Sequence, residues 1–171
     1  QKTLSFARNH DSLTRLINRE TFLDQMDRAL RHAQRKASQH AVLYLNIDQF
    51  KLVNEVYDRI HGDQVLLEFA RLLSQLHGKK ASSARIEADS FAVLLLERTM
   101  EQASEIAEKI RQDIEASSVE IDGEKIGFTV SIGVAPIREH SPEVGKLLHA
   151  ARTTMHLAKQ PVEVARHAVN R

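Results

Sequence analysis

A chain of 171 residues, 42% hydrophobic and 27% charged, is long enough for one domain with a real core and has the composition of a soluble globular protein. A formal net charge of +1 gives no bulk case for nucleic acid or a membrane surface as partner. No apolar run approaches the roughly 20 residues of a membrane span, and without cysteine there is no disulfide framework or thiol chemistry. This suits the cytosol. No signal peptide leads the chain. It starts at Gln1 rather than Met, so it reads as a piece of a longer protein.

Residues 1–17 are polar, with short apolar positions at Leu13, Leu16 and Ile17, and read as an irregular linker and lead-in segment. Asn18 then offers a helix cap before apolar positions at helical spacing: Phe22, Leu23, Met26, Ala29, Leu30 and Ala33. "AVLYLNI" (41–47) is a nearly continuous apolar run, as expected of a central strand buried on both faces. A short helix is expected around Phe50–Tyr57, and a longer one carries Val65, Leu66, Phe69, Leu72, Leu73 and Leu76. "SARIEADSFAVLLLE" (83–97) reads as strand, tight turn, strand, with Glu87, Ala88, Asp89 and Ser90 at the tip.

Thr99 and Gln102 form a capping box for a helix through Ala103, Ile106, Ala107, Ile110 and Ile114. Asp122-Gly123 signals a second hairpin, and "GFTVSIGVAPI" (127–137) alternates as a strand. Ser141 as cap, Pro142 at the first helical position and Glu143 in the first turn start a last helix, which Pro161 is expected to end. The order of hairpins and helices predicts an α+β domain, a mostly antiparallel sheet flanked by helices, over residues 18–161, with a linker at 162–171.

No Walker A, GxGxxG, HExxH or GxSxG pattern is present. His149 and His156 share a helical face, but no carboxylate joins them at ligand spacing. "NIDQFK" (46–51) places Asn46 and Asp48 at a strand's C-terminal end, where hard oxygens suit Mg²⁺-bound phosphate. Asp48 could converge with Asp89 if the strand pairs beside the hairpin; the plainer alternative is that Asp48 caps the next helix.

Five stretches, in order and over nearly the whole chain, resemble the GGDEF domain family, the diguanylate cyclases of bacterial signalling. They are "HDSLTRLINRETF" (10–22), "NIDQFKLVNEVYDRIHGDQVL" (46–66), "RIEADSFAVLL" (85–95), "FTVSIGVA" (128–135) and "AARTTMHLAK" (150–159). The resemblance implies a nucleotide-cyclase-like relative of the ferredoxin fold. It also implies a reaction that joins two GTP into cyclic di-GMP across two facing domains, with Mg²⁺ on the triphosphates.

Residue by residue, the resemblance implies a degenerate site. The GGDEF motif falls on Glu87, Ala88, Asp89, Ser90 and Phe91. Side chains replace both glycines, and Ser90 replaces the acid used near the attacking hydroxyl; a serine cannot act as a general base near neutral pH. The metal positions are Asp89, Asn46 and Ile47, and Asn46 replaces an aspartate, so the Mg²⁺ site is vestigial. The family's Gly-His pair is Asp58-Arg59, and a phosphate-contacting Arg falls on Glu163. The RxxD inhibitory motif is missing. The guanine positions survive as Asn54 and Asp63, and the phosphate-facing lysines as Lys51 and Lys159, so GTP is the candidate ligand. Plainer readings exist for each: Asn54 on a helix surface, Asp63 as a helix cap, solvated lysines, and Asp89 as a turn residue bonded to its own backbone.

Three functions follow from the resemblance. One is a catalytically silent, cytoplasmic regulatory module that binds GTP and acts on a neighbouring EAL or sensory domain in the same chain. Another is a ligand-free dimerisation or interaction scaffold. The last is a weakly active cyclase using Asp89 and water. None requires nucleic acid or membrane contact by this domain, and a homodimer is compatible with each.

Overall fold

A computed structural model describes the backbone of residues 2–169 and the side chains of residues 6–159. Its elements run α1 (Lys2–Asn9), α2 (Arg19–Lys36), β1 (His40–Ile47), α3 (Phe50–Val56), α4 (Arg59–Leu76), β2 (Ala81–Glu87), β3 (Ser90–Leu95), α5 (Met100–Glu115), β4 (Ser118–Ile121), β5 (Glu124–Gly127), β6 (Val130–Ile137) and α6 (Val144–Val169). The main sheet has the order β2-β3-β1-β6, every neighbouring pair antiparallel, and β4-β5 form a separate ribbon. This is the split βαβ order expected of a ferredoxin relative.

β1 is central and buried on both faces, which is why its sequence shows no alternation. Alternation appears in where its side chains go. Leu43, Leu45 and Ile47 pack with Phe69 of α4, Ile110 of α5 and Phe91 of β3. Val42 and Tyr44 pack on the other face with Phe22 and Met26 of α2 and Leu148 and Met155 of α6. Gly133 of β6 lets α6 lie directly on the sheet: a Cβ there would stand 2.1 Å from the Ala151 carbonyl oxygen and 2.3 Å from the Met155 nitrogen.

Helix caps largely follow the sequence. Asn18 accepts from the Thr21 N–H, and Thr99 and Gln102 form the reciprocal capping box. Asp122 and Gly123 take φ of 52° and 82°, the turn that joins β4 to β5.

Four expectations are corrected. Residues 2–9 are helical rather than irregular. α6 begins at Val144, and Glu143 rather than Ser141 caps it, its carboxylate accepting from the Gly145 and Lys146 N–H groups. The Ser141 hydroxyl instead accepts from the Arg138 N–H in the preceding turn. Pro161 does not end α6, which is helical through Val169; an internal proline removes one backbone bond but leaves the flanking ones. Asp63 does not cap α4, because that helix starts four residues earlier, at Arg59, with Asp58 accepting from the His61 N–H.

Candidate functional site

The β2–β3 turn sits beside the end of β1, as the convergence reading requires. Asn46 faces Ser90 directly across β1 and β3. The turn itself is two residues, Ala88 and Asp89, since Glu87 ends β2 and Ser90 opens β3. Ala88 takes φ 40°, the left-handed region, where glycine has no Cβ penalty. Arg85 braces this strained turn from behind: its Nε donates to the Ala88 carbonyl at 2.8 Å, and one guanidinium nitrogen stands 3.2 Å from the Asp11 carboxylate. Sequence reading gave Arg85 and Asp11 no individual role, although both lie in the quoted motifs. Burial alone would raise the Asp11 carboxyl, but Thr14 and Arg85 bring it below its ordinary value.

Asn46 is fully engaged. Its Nδ2 donates to the Asp89 carbonyl at 3.3 Å and to the Ser90 hydroxyl at 3.2 Å, and its Oδ1 accepts from Lys159 at 2.5 Å. The Ile47 N–H also donates to the Asp89 carbonyl, at 3.2 Å. Ser90 is buried, and Phe91 anchors β3 in the core against Phe69. Among the described residues the Asp89 carboxylate makes no hydrogen bond, so its turn-residue reading is not what the geometry shows; its backbone carbonyl, not its side chain, organises the turn.

Asp48 does not cap α3; the cap position is Gln49, without a side-chain bond. The Asp48 carboxylate instead accepts from the Thr129 and Ser131 hydroxyls, both at 2.7 Å, and pairs with Lys159 at 3.0 Å. Burial alone would raise this carboxyl, but Ser131, Thr129 and Lys159 together hold it below the usual value. Lys159 is therefore no free, solvated lysine. Lys51 is exposed.

Asn54 is on α3, and Asp63 is on α4, next in sequence to Gly62. Asn54 lies over Gly62, where a Cβ would stand 1.9 Å from Asn54 Oδ1. Gly62 thus sets how close α3 approaches α4, a role the sequence reading did not assign. Among the described residues neither the Asn54 nor the Asp63 side chain makes a hydrogen bond or ion pair. Asp58, where the resemblance expects glycine, takes φ 137° and ψ 179°, a conformation nearly confined to glycine. The Glu163 side chain lies outside the described residues.

The donor set does not fit a divalent metal. Mg²⁺ favours several hard, negatively charged oxygens at short range. Here Asp89 is the one carboxylate among the expected metal positions, and the Asn46 oxygen is neutral and already bonded to an ammonium, which also pairs with Asp48. Among the described residues no three His, Asp or Glu side chains converge as metal ligands.

An antiparallel split-βαβ sheet with a strand-end turn beside the central strand is the architecture shared by nucleotide-cyclase-like domains. The model of the diguanylate cyclase GGDEF domain matches residues 8–163, and the chain belongs to this family. Similar proteins include diguanylate cyclase TpbB of Pseudomonas aeruginosa, 36% identical over 96% of this chain. The bifunctional diguanylate cyclase/cyclic di-GMP phosphodiesterase MucR of the same species is 31% identical over 88% of it. The chain spans only 38% of TpbB and 22% of MucR. Among solved structures, the GGDEF domain of FimX from P. aeruginosa is 26% identical with a TM-score of 0.85, over 90% of this chain and 94% of that one. A GGDEF-only form of TpbB is 34% identical with a TM-score of 0.83, over 89% of both chains. Among the described residues no helix is long and apolar enough to cross a membrane.

Proposed function

We propose that this chain is a catalytically silent GGDEF module of bacterial cyclic di-GMP signalling. It binds GTP at Asn54 and Asp63 and uses occupancy to regulate a neighbouring domain, of EAL type, in the same protein. The observation that carries the reading is a contrast between the two ends of the site. At the guanine end, Asn54 on α3 and Asp63 on α4, next in sequence to the Gly62 that Asn54 packs over, have side chains without partners among the described residues, available to a ligand's donors. At the catalytic end, Asn46 bonds both Ser90 and Lys159, and Lys159 pairs with Asp48. Ser90 is buried and supplies no carboxylate for the attacking hydroxyl. MucR, a relative named for both cyclase and phosphodiesterase activities, supports the pairing with an EAL neighbour.

Calorimetric titration of the chain with GTP tests the binding half. Micromolar affinity that is lost in Asp63→Ala supports the regulatory module; no heat and no thermal stabilisation at millimolar GTP contradicts it. One observation favours the scaffold reading instead. Leu52, Val56 and Ile60, on α3 and the start of α4, are 51%, 62% and 70% exposed beside the same site. GTP titration and sedimentation together separate the two, because a ligand-free scaffold takes up no GTP and self-associates in a way that Val56→Ser abolishes.

A further inference from the structure

We propose that Lys159 holds the cation position of this site, a tethered ammonium where the family's reaction would use a divalent metal. Its Nζ bridges Asn46 Oδ1 at 2.5 Å and Asp48 Oδ1 at 3.0 Å, two side-chain oxygens at the end of β1. A metal at those oxygens would meet the ammonium's charge at contact distance and would compete with it for Asp48 Oδ1, which already accepts from Ser131.

The lysine is placed by packing. The turns of α6 around Ala151 and Met155 rest on Gly133, so Lys159, one turn further on, reaches the sheet from a fixed base. An ammonium has three N–H donors, and two are spent on Asn46 and Asp48. The side chain is 27% exposed, so the third is open to a phosphate oxygen from solvent. The position that is an aspartate in the family is here an amide. Its Nδ2 is turned to Ser90 and the Asp89 carbonyl, which leaves only its oxygen for Lys159. The replacement removes a charge that would attract a dication and keeps an acceptor that suits an ammonium. Resting on the GTP-binding reading, the consequence is that any nucleoside triphosphate held here is held without Mg²⁺.

Two measurements on the full chain test this. In Mn²⁺ titration followed by electron paramagnetic resonance, the wild-type chain leaves the free-ion signal unchanged. Lys159→Gln frees Asp48 Oδ1 and Asn46 Oδ1 and binds Mn²⁺ about tenfold more tightly, while Lys159→Arg behaves as wild type and controls for folding. In GTP titration, affinity in EDTA stays within about threefold of affinity with Mg²⁺. Mn²⁺ bound equally by wild type and Lys159→Gln, or GTP binding that requires Mg²⁺, overturns the assignment of Lys159. Absence of GTP binding in both buffers overturns the regulatory reading of the previous section, and the Mn²⁺ comparison still decides the role of the lysine.

Discussion

Asn46 and Ser90 are direct cross-strand neighbours, and the Asn46 amide donates to the Ser90 hydroxyl at 3.2 Å. The two positions at which the family carries a metal aspartate and a catalytic acid are thus bonded to each other. The departures from the active pattern act as a pair. Restoring Ser90→Glu alone leaves the metal position an amide; restoring Asn46→Asp alone leaves no base. Each single variant therefore makes no cyclic di-GMP. The combined Asn46→Asp, Ser90→Glu, Glu87→Gly, Ala88→Gly variant exceeds the wild-type background by about 100-fold, the ordinary contribution of a positioned base. Product quantified by mass spectrometry checks this, and turnover from either single variant would refute the pairing.

The β2–β3 turn stores strain. Ala88 at φ 40° costs about 1 kcal/mol relative to glycine, so Ala88→Gly raises thermal stability by about that amount. Removing the brace acts the other way. Arg85→Met frees the Ala88 carbonyl and leaves Asp11 without its cation, at a cost of about 1–3 kcal/mol in denaturant unfolding. Equal stability of Arg85→Met and wild type would show that the brace carries nothing.

Gly133 is the point at which α6 meets the sheet. Gly133→Ala drives a methyl into the Ala151 carbonyl and the Met155 nitrogen and costs about 1–3 kcal/mol. It also lifts the helix that carries Lys159, so the Lys159–Asp48 pair weakens. Thermal melts check the first effect, and a change in the Lys159 ammonium resonance checks the second.

His61 ties α4 to the β4–β5 hairpin, with Nε2 at 3.1 Å from Asp122 and Nδ1 at 2.9 Å from Asp58. Burial alone would lower its pKa, but Asp122 and Asp58 raise it above the ordinary value of 6.5. A raised folded value means that the contribution to stability is full below that ordinary value and is lost as pH rises through the folded one. Amide exchange in β4 and β5 therefore accelerates across that window, and His61→Gln removes the pH dependence. Unchanged exchange across the window would mean that the hairpin does not depend on the pair.

Much of the fold was legible because its signals are local. Asn18, the Thr99–Gln102 box and Asp122-Gly123 each satisfy their own backbone, so their residue types announce them. What misled is where tertiary context decides. Asp63 follows a glycine, as a cap would, yet α4 begins at Arg59 because Asp58 caps it from a conformation normally left to glycine. Asp48 stands before a helix, yet its hydroxyl partners come from residues 129 and 131, far along the chain. The motif order carried the family, and substitutions at known motif positions pointed to a silent site. That Asn46 bonds both Ser90 and Lys159 was not readable, since it depends on strand register and on how α6 lies on Gly133.

The most direct test of silence is cyclic di-GMP production from Mg-GTP by the chain fused to a dimerising coiled coil, so that two sites face each other. The account predicts no product above a no-enzyme control, even after long incubation. Steady accumulation of cyclic di-GMP, abolished by Asp89→Ala, would contradict it and establish a working cyclase without the usual acid.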